Sequence, residues 1–112
     1  MTRHDPITGR YVYLTIEGIE YRVYYEEAGE GIPLLVGHTA GSDGRQYRHT
    51  LCDEDVTKNF RVIAFDLPYH GKSLPPHGVR WWEKEYNMTK KFMMDFQPVS
   101  YTHLTLPTIL LV

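Results

Sequence analysis

Cysteine is almost absent from this chain of 112 residues, which contains Cys52 alone. A single cysteine cannot form an internal disulfide, so the sequence gives no indication of an oxidising compartment. No apolar run is long enough to span a bilayer, and the first ten residues lack the apolar core of a secretory signal. These absences make the cytoplasm the expected location and exclude a membrane as an expected partner.

An excess of positive charge is also lacking, since 12 Lys and Arg residues are set against 14 Asp and Glu residues. Nucleic acids and anionic membranes bind proteins through concentrated positive charge, so nucleic acid is not an expected partner either. His4, His49 and His77 show no metal-ligand spacing with one another or with Cys52. We therefore expect no metal, and the sequence does not indicate an oligomeric state.

Charged residues are missing altogether from residues 97–112, although the rest of the chain is richly charged. Residues 100–112 read SYTHLTLPTILLV, which resembles a string found at the ends of unrelated reading frames where sequencing-adaptor DNA has been translated. On this interpretation residues 1–97 form the folded part, and residues 98–112 are a non-native or disordered tail. The alternative is that residues 107–112 form a genuine parallel strand.

Aromatic and β-branched residues concentrate in two stretches near the amino terminus, residues 11–16 and 19–25. The Glu-Gly pair between them predicts a two-residue hairpin turn. Two shorter apolar runs without helical periodicity follow, Ile32–Val36 and Phe60–Phe65, and such runs are typical of strands buried on both faces. The sequence thus predicts an α/β fold whose mixed sheet has antiparallel strands at one edge.

A helix is predicted over residues 44–51, where Ser42 or Asp43 can serve as its N-cap. Residues 52–59 then form a polar connection to the second buried strand. Because a helix joins the two buried runs, we expect them to pair in parallel as a right-handed βαβ unit.

Towards the end of the chain a looser apolar pattern predicts a last helix over residues 90–96. Asn87 or Thr89 can cap its start. Pro98 is expected to end it, because proline lacks the N–H that a helix interior requires.

The loop after Phe60–Phe65 carries residues suited to chemistry at the carboxyl end of a strand, where open α/β sheets bind their ligands. Its Gly-Lys-Ser sequence is the end of the Walker A phosphate-binding pattern. However, Asp66 stands where that pattern needs its first glycine, and Pro75 interrupts the helix that should follow. A P-loop is therefore disfavoured.

The loop after Ile32–Val36 has the G-x-x-x-G spacing of a nucleophile elbow, with Thr39 at the nucleophile position. A β-branched residue is poorly suited to the strained backbone of such an elbow. No carboxylate–histidine pair can be assigned to Thr39, although Asp66 and His70 lie on the neighbouring loop. This interpretation is also disfavoured.

Taken together, the hairpin and the two loops resemble the amino-terminal part of an α/β-hydrolase over residues 11–96. In that family the first loop, usually His-Gly-x-x, supplies a backbone N–H of the oxyanion hole. The second loop, usually Asp-x-x-Gly-x-Gly-x-Ser, supports the site from the side. The resemblance assigns the oxyanion loop to His38, Thr39, Ala40 and Gly41. It assigns the structural support to Asp66, His70, Gly71 and Ser73. Thr39 and Tyr69 stand where the family usually has glycine.

The resemblance implies a serine-type hydrolase that needs no cofactor and acts on an ester, thioester, amide or carbon–carbon bond of a small-molecule substrate. In the family the nucleophile, acid and catalytic histidine come later in the chain, and no G-x-S-x-G follows Ser73 here. The chain is therefore expected to be an inactive fragment. The alternative is a non-catalytic α/β binding module that completes its sheet with a partner strand.

The family's strand order has a physical consequence as well. It places Phe60–Phe65 between the hairpin and Ile32–Val36, which leaves Ile32–Val36 as an exposed apolar edge. Such an edge favours aggregation, so the chain expressed alone is expected to be poorly soluble or molten.

Overall fold

The computed structural model describes residues 2–39, 41–73, 75–76, 80, 83 and 89–105. Four strands form one sheet in the order β1-β2-β4-β3. The elements in chain order are β1 (Thr8–Ile16), β2 (Ile19–Ala28), β3 (Ile32–Val36), a 3-10 helix (Gly44–Tyr47), α1 (Arg48–Cys52), α2 (Glu54–Thr57), β4 (Phe60–Phe65) and α3 (Lys90–Thr105).

The hairpin of β1 and β2 is antiparallel, with Thr8 opposite Glu27 and Ile16 opposite Ile19. Its turn residues Glu17 and Gly18 have φ angles of 53° and 78°. These left-handed conformations give the connection a twist that matches the twist of the strands. The predicted hairpin is confirmed, and both strands run further from the turn than expected.

Strand β4 lies inside the sheet, antiparallel to β2 and parallel to β3. Val62 and Ile63, which point to opposite faces, are both completely buried. The apolar run therefore reflects burial on both faces, as the sequence indicated. The predicted parallel pair is confirmed, and so is the strand order that the resemblance implied.

The crossover between β3 and β4 is more helical than predicted. Its helix begins as a 3-10 turn, capped by the Asp43 carboxylate, which accepts a hydrogen bond of 2.9 Å from the Arg45 N–H. The predicted polar connection over residues 52–59 contains a short helix, α2, that the sequence pattern did not predict. Asp53 has extended backbone that ends α1, and its carboxylate then caps α2 by accepting from the Asp55 N–H.

Helix α3 begins as predicted, since the Thr89 hydroxyl accepts a hydrogen bond of 3.0 Å from the Phe92 N–H. The prediction that Pro98 ends this helix is wrong, because the helix continues to Thr105. A proline in a helix interior costs roughly 3 kcal/mol, and burial of side chains on both sides of it offsets that cost. These buried apolar residues are Phe92, Phe96 and Leu104.

Three further predictions concern Asn87, residues 107–112 and the boundary at residue 97. Asn87 and the alternative strand over residues 107–112 lie outside the described residues. The division of the chain at residue 97 stays a prediction, although α3 runs across it.

The two faces of the sheet are covered by different helices. On one face Phe92 and Phe96 of α3 pack on Tyr21 and Phe65, with ring centroids 5.6 Å apart for Tyr21–Phe92 and 5.3 Å apart for Phe65–Phe96. On the other face Leu51 of α1 belongs to a second buried cluster. None of the helices in the described part combines the length and apolar character needed to cross a membrane.

Candidate functional site

The loops that follow β3 and β4 lie side by side, and His38 joins them. Its Nε2 accepts a hydrogen bond of 3.0 Å from the Leu67 N–H, and its Nδ1 lies 2.9 Å from the Thr39 carbonyl oxygen. A neutral imidazole with its proton on Nδ1 satisfies both contacts. Because His38 is buried as well, it braces the two loops against each other.

The second histidine of the predicted site lies against the first. The ring centroids of His38 and His70 are 5.2 Å apart, and His70 Nδ1 lies 2.9 Å from the Pro68 carbonyl oxygen. A catalytic histidine is normally oriented by a carboxylate, and no carboxylate hydrogen-bonds to either ring among the described residues. Both histidines therefore hold backbone in place.

Asp66 is the centre of the second loop and is only 5% exposed. Its Oδ2 accepts a hydrogen bond of 2.8 Å from the Lys72 N–H, and its Oδ1 accepts one of 2.6 Å from the Gly44 N–H. Through the first contact Asp66 holds its own loop. The second contact ties that loop to the 3-10 helix after β3, which no sequence pattern indicated.

The turn of the second loop needs left-handed backbone at two positions. Gly71 has a φ angle of 52°, and a Cβ atom there would clash with the Asp66 carboxylate. Tyr69 has a φ angle of 68°, a conformation that favours glycine. The family usually has glycine at the position of Tyr69, and the left-handed backbone that the turn requires there explains that preference. Tyr69 also packs against the buried core, which offsets part of the strain.

Ser73 closes the second loop onto the sheet. Its buried hydroxyl donates to the Asp66 carbonyl at 2.7 Å and accepts from the Tyr24 N–H at 2.9 Å. A P-loop serine must instead direct its hydroxyl at a metal ion beside the phosphates. The Gly-Lys-Ser sequence is thus a structural element of this loop and does not form a P-loop.

The first loop is held by two side chains of the 3-10 helix. Gln46 Oε1 accepts hydrogen bonds from the Thr39 N–H at 2.9 Å and from the Thr39 hydroxyl at 3.2 Å. The Tyr47 hydroxyl donates to the Gly37 carbonyl at 2.6 Å. The Thr39 hydroxyl therefore faces an amide and no histidine, which argues against a nucleophile at this position.

Sequence reasoning missed Gln46 and Tyr47. The available signal was their place in the first helical turn after a glycine-rich loop, from which a side chain can reach back to that loop. Gly41 lies in a sharp turn, with a φ angle of 76°, and the Ser42 N–H donates to the Thr39 carbonyl. Ala40, the remaining residue assigned to the oxyanion loop, lies outside the described residues.

Asp43, near the two loops, is a buried carboxylate paired with Arg45. Hydrogen bonds from the Arg45 side chain, the shortest of them 2.7 Å, lower the pKa of Asp43 to about 2. On β2, burial and then the hydrogen bond to Glu26 raise the pKa of Tyr24 to about 12. At neutral pH, Asp43 is thus an anion and Tyr24 a hydrogen-bond donor.

Metal chemistry finds no support in the part of the chain that the structure describes. Among those residues, no three His, Cys, Asp or Glu side chains form a group that could hold a metal ion. The contacts of the two loops are instead hydrogen bonds to backbone, which fix the shape of the loops.

Comparison with known proteins finds hydrolases. No family model matches the chain. A 2-hydroxy-6-oxononadienedioate/2-hydroxy-6-oxononatrienedioate hydrolase from Burkholderia vietnamiensis is 35% identical over 72 residues, which are 62% of this chain and 25% of the relative. A hydrolase of the same description from Paraburkholderia phymatum is 33% identical over 76 residues, covering 65% of this chain and 26% of its own length.

Solved structures agree with these relatives. A thermophilic esterase from Thermogutta terrifontis superposes with a TM-score of 0.64 at 28% identity, over 85% of this chain and 32% of the esterase. An N-acyl homoserine lactonase superposes with a TM-score of 0.63 at 33% identity, over 87% of this chain and 33% of the lactonase. The chain has the fold of the amino-terminal part of an α/β-hydrolase.

In this α/β-hydrolase fold, the two loops follow neighbouring parallel strands, β3 and β4. An epoxide hydrolase from Vigna radiata, at 20% identity and a TM-score of 0.66, supports the fold alone. The chain spans about a quarter of the length of the curated relatives it matches. The catalytic use of the two loops is therefore a matter for proposal.

Proposed function

We propose that this chain is the amino-terminal part of a serine-type hydrolase and that residues 38–41 form its oxyanion loop. The observation that carries the proposal is the double contact of His38, which ties the loop after β3 to Leu67 in the loop after β4. Preorganised backbone N–H groups are what stabilise the oxyanion of acyl transfer, and a braced loop provides them without reorganisation.

The contacts of Thr39 narrow the choice of the oxyanion donor. Its N–H already donates to Gln46 at 2.9 Å. In our proposal, Gln46 holds Thr39 in place and the Ala40 N–H is the donor to the developing oxyanion. Removing one such donor typically costs about 3–4 kcal/mol in the barrier.

The chain on its own is proposed to be inactive. It contains no G-x-S-x-G nucleophile sequence, and both histidines of the loops are bonded to backbone groups. An oxyanion loop without a nucleophile stabilises a tetrahedral intermediate that is never formed. Hydrolysis thus requires a nucleophile from a longer protein.

The similar proteins support only a general proposal for the substrate class. The names of the relatives and neighbours describe an oxononadienedioate hydrolase, an esterase, a lactonase and epoxide hydrolases. They support hydrolysis of a small molecule but differ in the substrate. We therefore keep the proposal at an ester, thioester, amide or carbon–carbon bond, with no cofactor.

The first test is the genomic DNA beyond the codon for Gln97. We expect an in-frame continuation that contains G-x-S-x-G and replaces residues 98–112. A stop codon close to Gln97, or a continuation without a nucleophile elbow, would contradict the proposal.

The second test is hydrolysis of a p-nitrophenyl ester by the 112-residue chain and by the extended protein. We expect turnover from the extended protein alone, and a serine-directed phosphonate should abolish it. Turnover by the short chain that the phosphonate removes would contradict its proposed inactivity.

A second candidate function rests on the free edge of β3. In the described part of the chain β3 pairs with β4 alone, and Ile32 is 67% exposed. A non-catalytic binding module would complete its sheet here with a partner strand. Purification of a stable heteromer that lacks turnover would favour this function over the hydrolase.

A further inference from the structure

A cavity of 250 Å³ lies on the face of the sheet that carries α1. Glu26 and Ala64, neighbours across β2 and β4, form part of its floor. Its walls come from the start of the helical crossover and from the loop after β4. No oxyanion-loop residue that the structure describes lines this cavity, although the supporting residues Asp66 and Gly71 do.

Three cations line the cavity, and two of them have no acidic partner. Arg45 is paired with Asp43 at 2.7 Å. Arg48 forms no ion pair within the described part of the chain, and the Lys72 ammonium contacts only the Tyr24 ring there, 4.9 Å from its centroid. These two side chains therefore keep their hydrogen-bond donors free.

The acidic residues of the cavity are mostly engaged in contacts of their own. Asp43 is neutralised by Arg45. The Asp66 oxygens accept from the Gly44 and Lys72 N–H groups, and Glu26 Oε2 accepts from the Tyr24 hydroxyl at 2.9 Å. Within the described part of the chain, Arg48 and Lys72 are thus the lining cations with free hydrogen-bond donors, whereas Asp66 and Glu26 are hydrogen-bonded but lack a cationic partner.

We propose that this cavity binds a small anion, a carboxylate or a phosphate, between the Arg48 guanidinium and the Lys72 ammonium. Guanidinium and ammonium groups form charge-assisted hydrogen bonds with such oxyanions. Binding pockets for drug-sized ligands begin at about 300 Å³, so a cavity of 250 Å³ suits a ligand of a few heavy atoms. Glu26 limits the affinity of the site, because its negative charge faces the same space.

The test is a titration of the full 112-residue chain with sodium phosphate or sodium acetate, at an ionic strength held constant with sodium chloride. The backbone amide signals of the lining residues Gly44 and Gly71 report binding by NMR. We expect saturable shifts with at least one of the two anions. The anion that binds more tightly identifies the group that the site prefers.

Three substitutions make the test specific. Arg48→Met and Lys72→Met remove the cationic donors and should each weaken binding about tenfold, as the loss of a charge-assisted hydrogen bond does. Glu26→Gln keeps an acceptor for the Tyr24 hydroxyl, removes the opposing charge and should tighten binding. A variant that merely damaged the fold could not bind more tightly.

The matched control is Lys58→Met, which removes a cation outside the cavity and should leave binding unchanged within about twofold. Absence of saturable shifts with both anions would overturn the proposal. Equal weakening by the Lys58, Arg48 and Lys72 substitutions would do so too, because it would show a nonspecific effect of net charge. Weaker binding in the Glu26→Gln variant would be a third contradiction.

Discussion

Single side chains hold the two loops through hydrogen bonds to backbone groups. His38 accepts from Leu67, Asp66 accepts from Gly44 and Lys72, and Ser73 donates to Asp66. Loops lack the regular hydrogen bonds of helices and strands, so these side chains satisfy N–H and C=O groups that would otherwise be buried without a partner. Each such contact, once broken, leaves a desolvated polar group and costs about 1–3 kcal/mol.

Replacement of the Asp66 carboxylate is the sharpest test of this arrangement. In Asp66→Asn one oxygen becomes an NH2 group, which faces a backbone N–H donor and cannot accept from it. We expect the free energy of unfolding to fall by about 2–4 kcal/mol, measured by urea unfolding of dilute protein. The control Asp55→Asn alters an exposed carboxylate, and an equal loss in both variants would contradict the role of Asp66.

The pair of Asp43 and Arg45 gives a pH dependence with a definite sign. The pKa of Asp43 is about 2 in the folded protein and 3.8 in the absence of Arg45 and burial. The folded state therefore gains stability from this carboxylate above a pH of about 4 and loses the gain as pH falls towards 2. We expect the urea midpoint of the chain to fall across this interval.

Substitution of Arg45 checks the cause of that pH dependence. Arg45→Gln should raise the pKa of Asp43 towards its ordinary value, measured by the pH dependence of its carboxyl carbon signal in NMR. The stability difference between the parent chain and this variant should shrink as pH falls towards 2. An unchanged Asp43 titration in the variant would show that Arg45 is not the cause.

At the scale of elements, the turns and apolar runs contain most of the information that made the fold predictable. A Glu-Gly pair between two β-prone stretches specifies a hairpin, and continuous apolar runs specify strands covered on both faces, as Val62 and Ile63 show. The order of the strands came from the resemblance and not from any local pattern. Strand order depends on contacts between distant parts of the chain, which a single sequence does not display.

One of the mispredicted elements, helix α3, depends on such distant contacts as well. Helix α3 passes through Pro98 because Leu104 beyond it is buried and accepts a hydrogen bond from Arg61. The position of Gln46 against Thr39 depends on the path of the loop between them. Local sequence patterns therefore indicate where the candidate loops lie. The side chains that hold these loops depend on tertiary contacts, which the patterns do not show.

A substitution in the carboxyl-terminal half of α3 tests whether the folded part of the chain ends at residue 97. Leu104 is 3% exposed, and its carbonyl accepts a hydrogen bond of 3.0 Å from Arg61 at the start of β4. Leu104→Ala should lower the free energy of unfolding by about 2–3 kcal/mol in urea. Met94→Ala, at an exposed position of the same helix, is the control and should cost less than about 0.5 kcal/mol. No effect at Leu104 would favour an unstructured tail.

For the molecule as a whole, the edge of β3, which is unpaired within the described part of the chain, is expected to affect behaviour in solution. Apolar side chains lie along it, and a groove of 470 Å³ between β3 and α3 adds further apolar surface from Pro33, Leu35 and Pro98. An edge strand of this kind can pair with the same strand of another copy. The free backbone groups and the apolar side chains both favour self-association.

Placing a charge on this edge should reduce association. We expect the parent chain to form larger species as its concentration rises, measured by sedimentation velocity, and Leu34→Lys to shift the distribution towards monomer. Met94→Lys adds the same charge at an exposed position on α3 and is the control. If both substitutions improve solubility equally, net charge and not the edge of β3 is responsible.

The place of β4 between β2 and β3 has a consequence for protein synthesis. Strands β2 and β3 follow each other in the chain, yet they are not neighbours in the sheet. While the ribosome is extending the chain, the hairpin can form early, but β3 has no partner until β4 has emerged and entered the gap. During that interval Ile32–Val36 is available to chaperones, and the sheet can be completed only after β4 has left the exit tunnel.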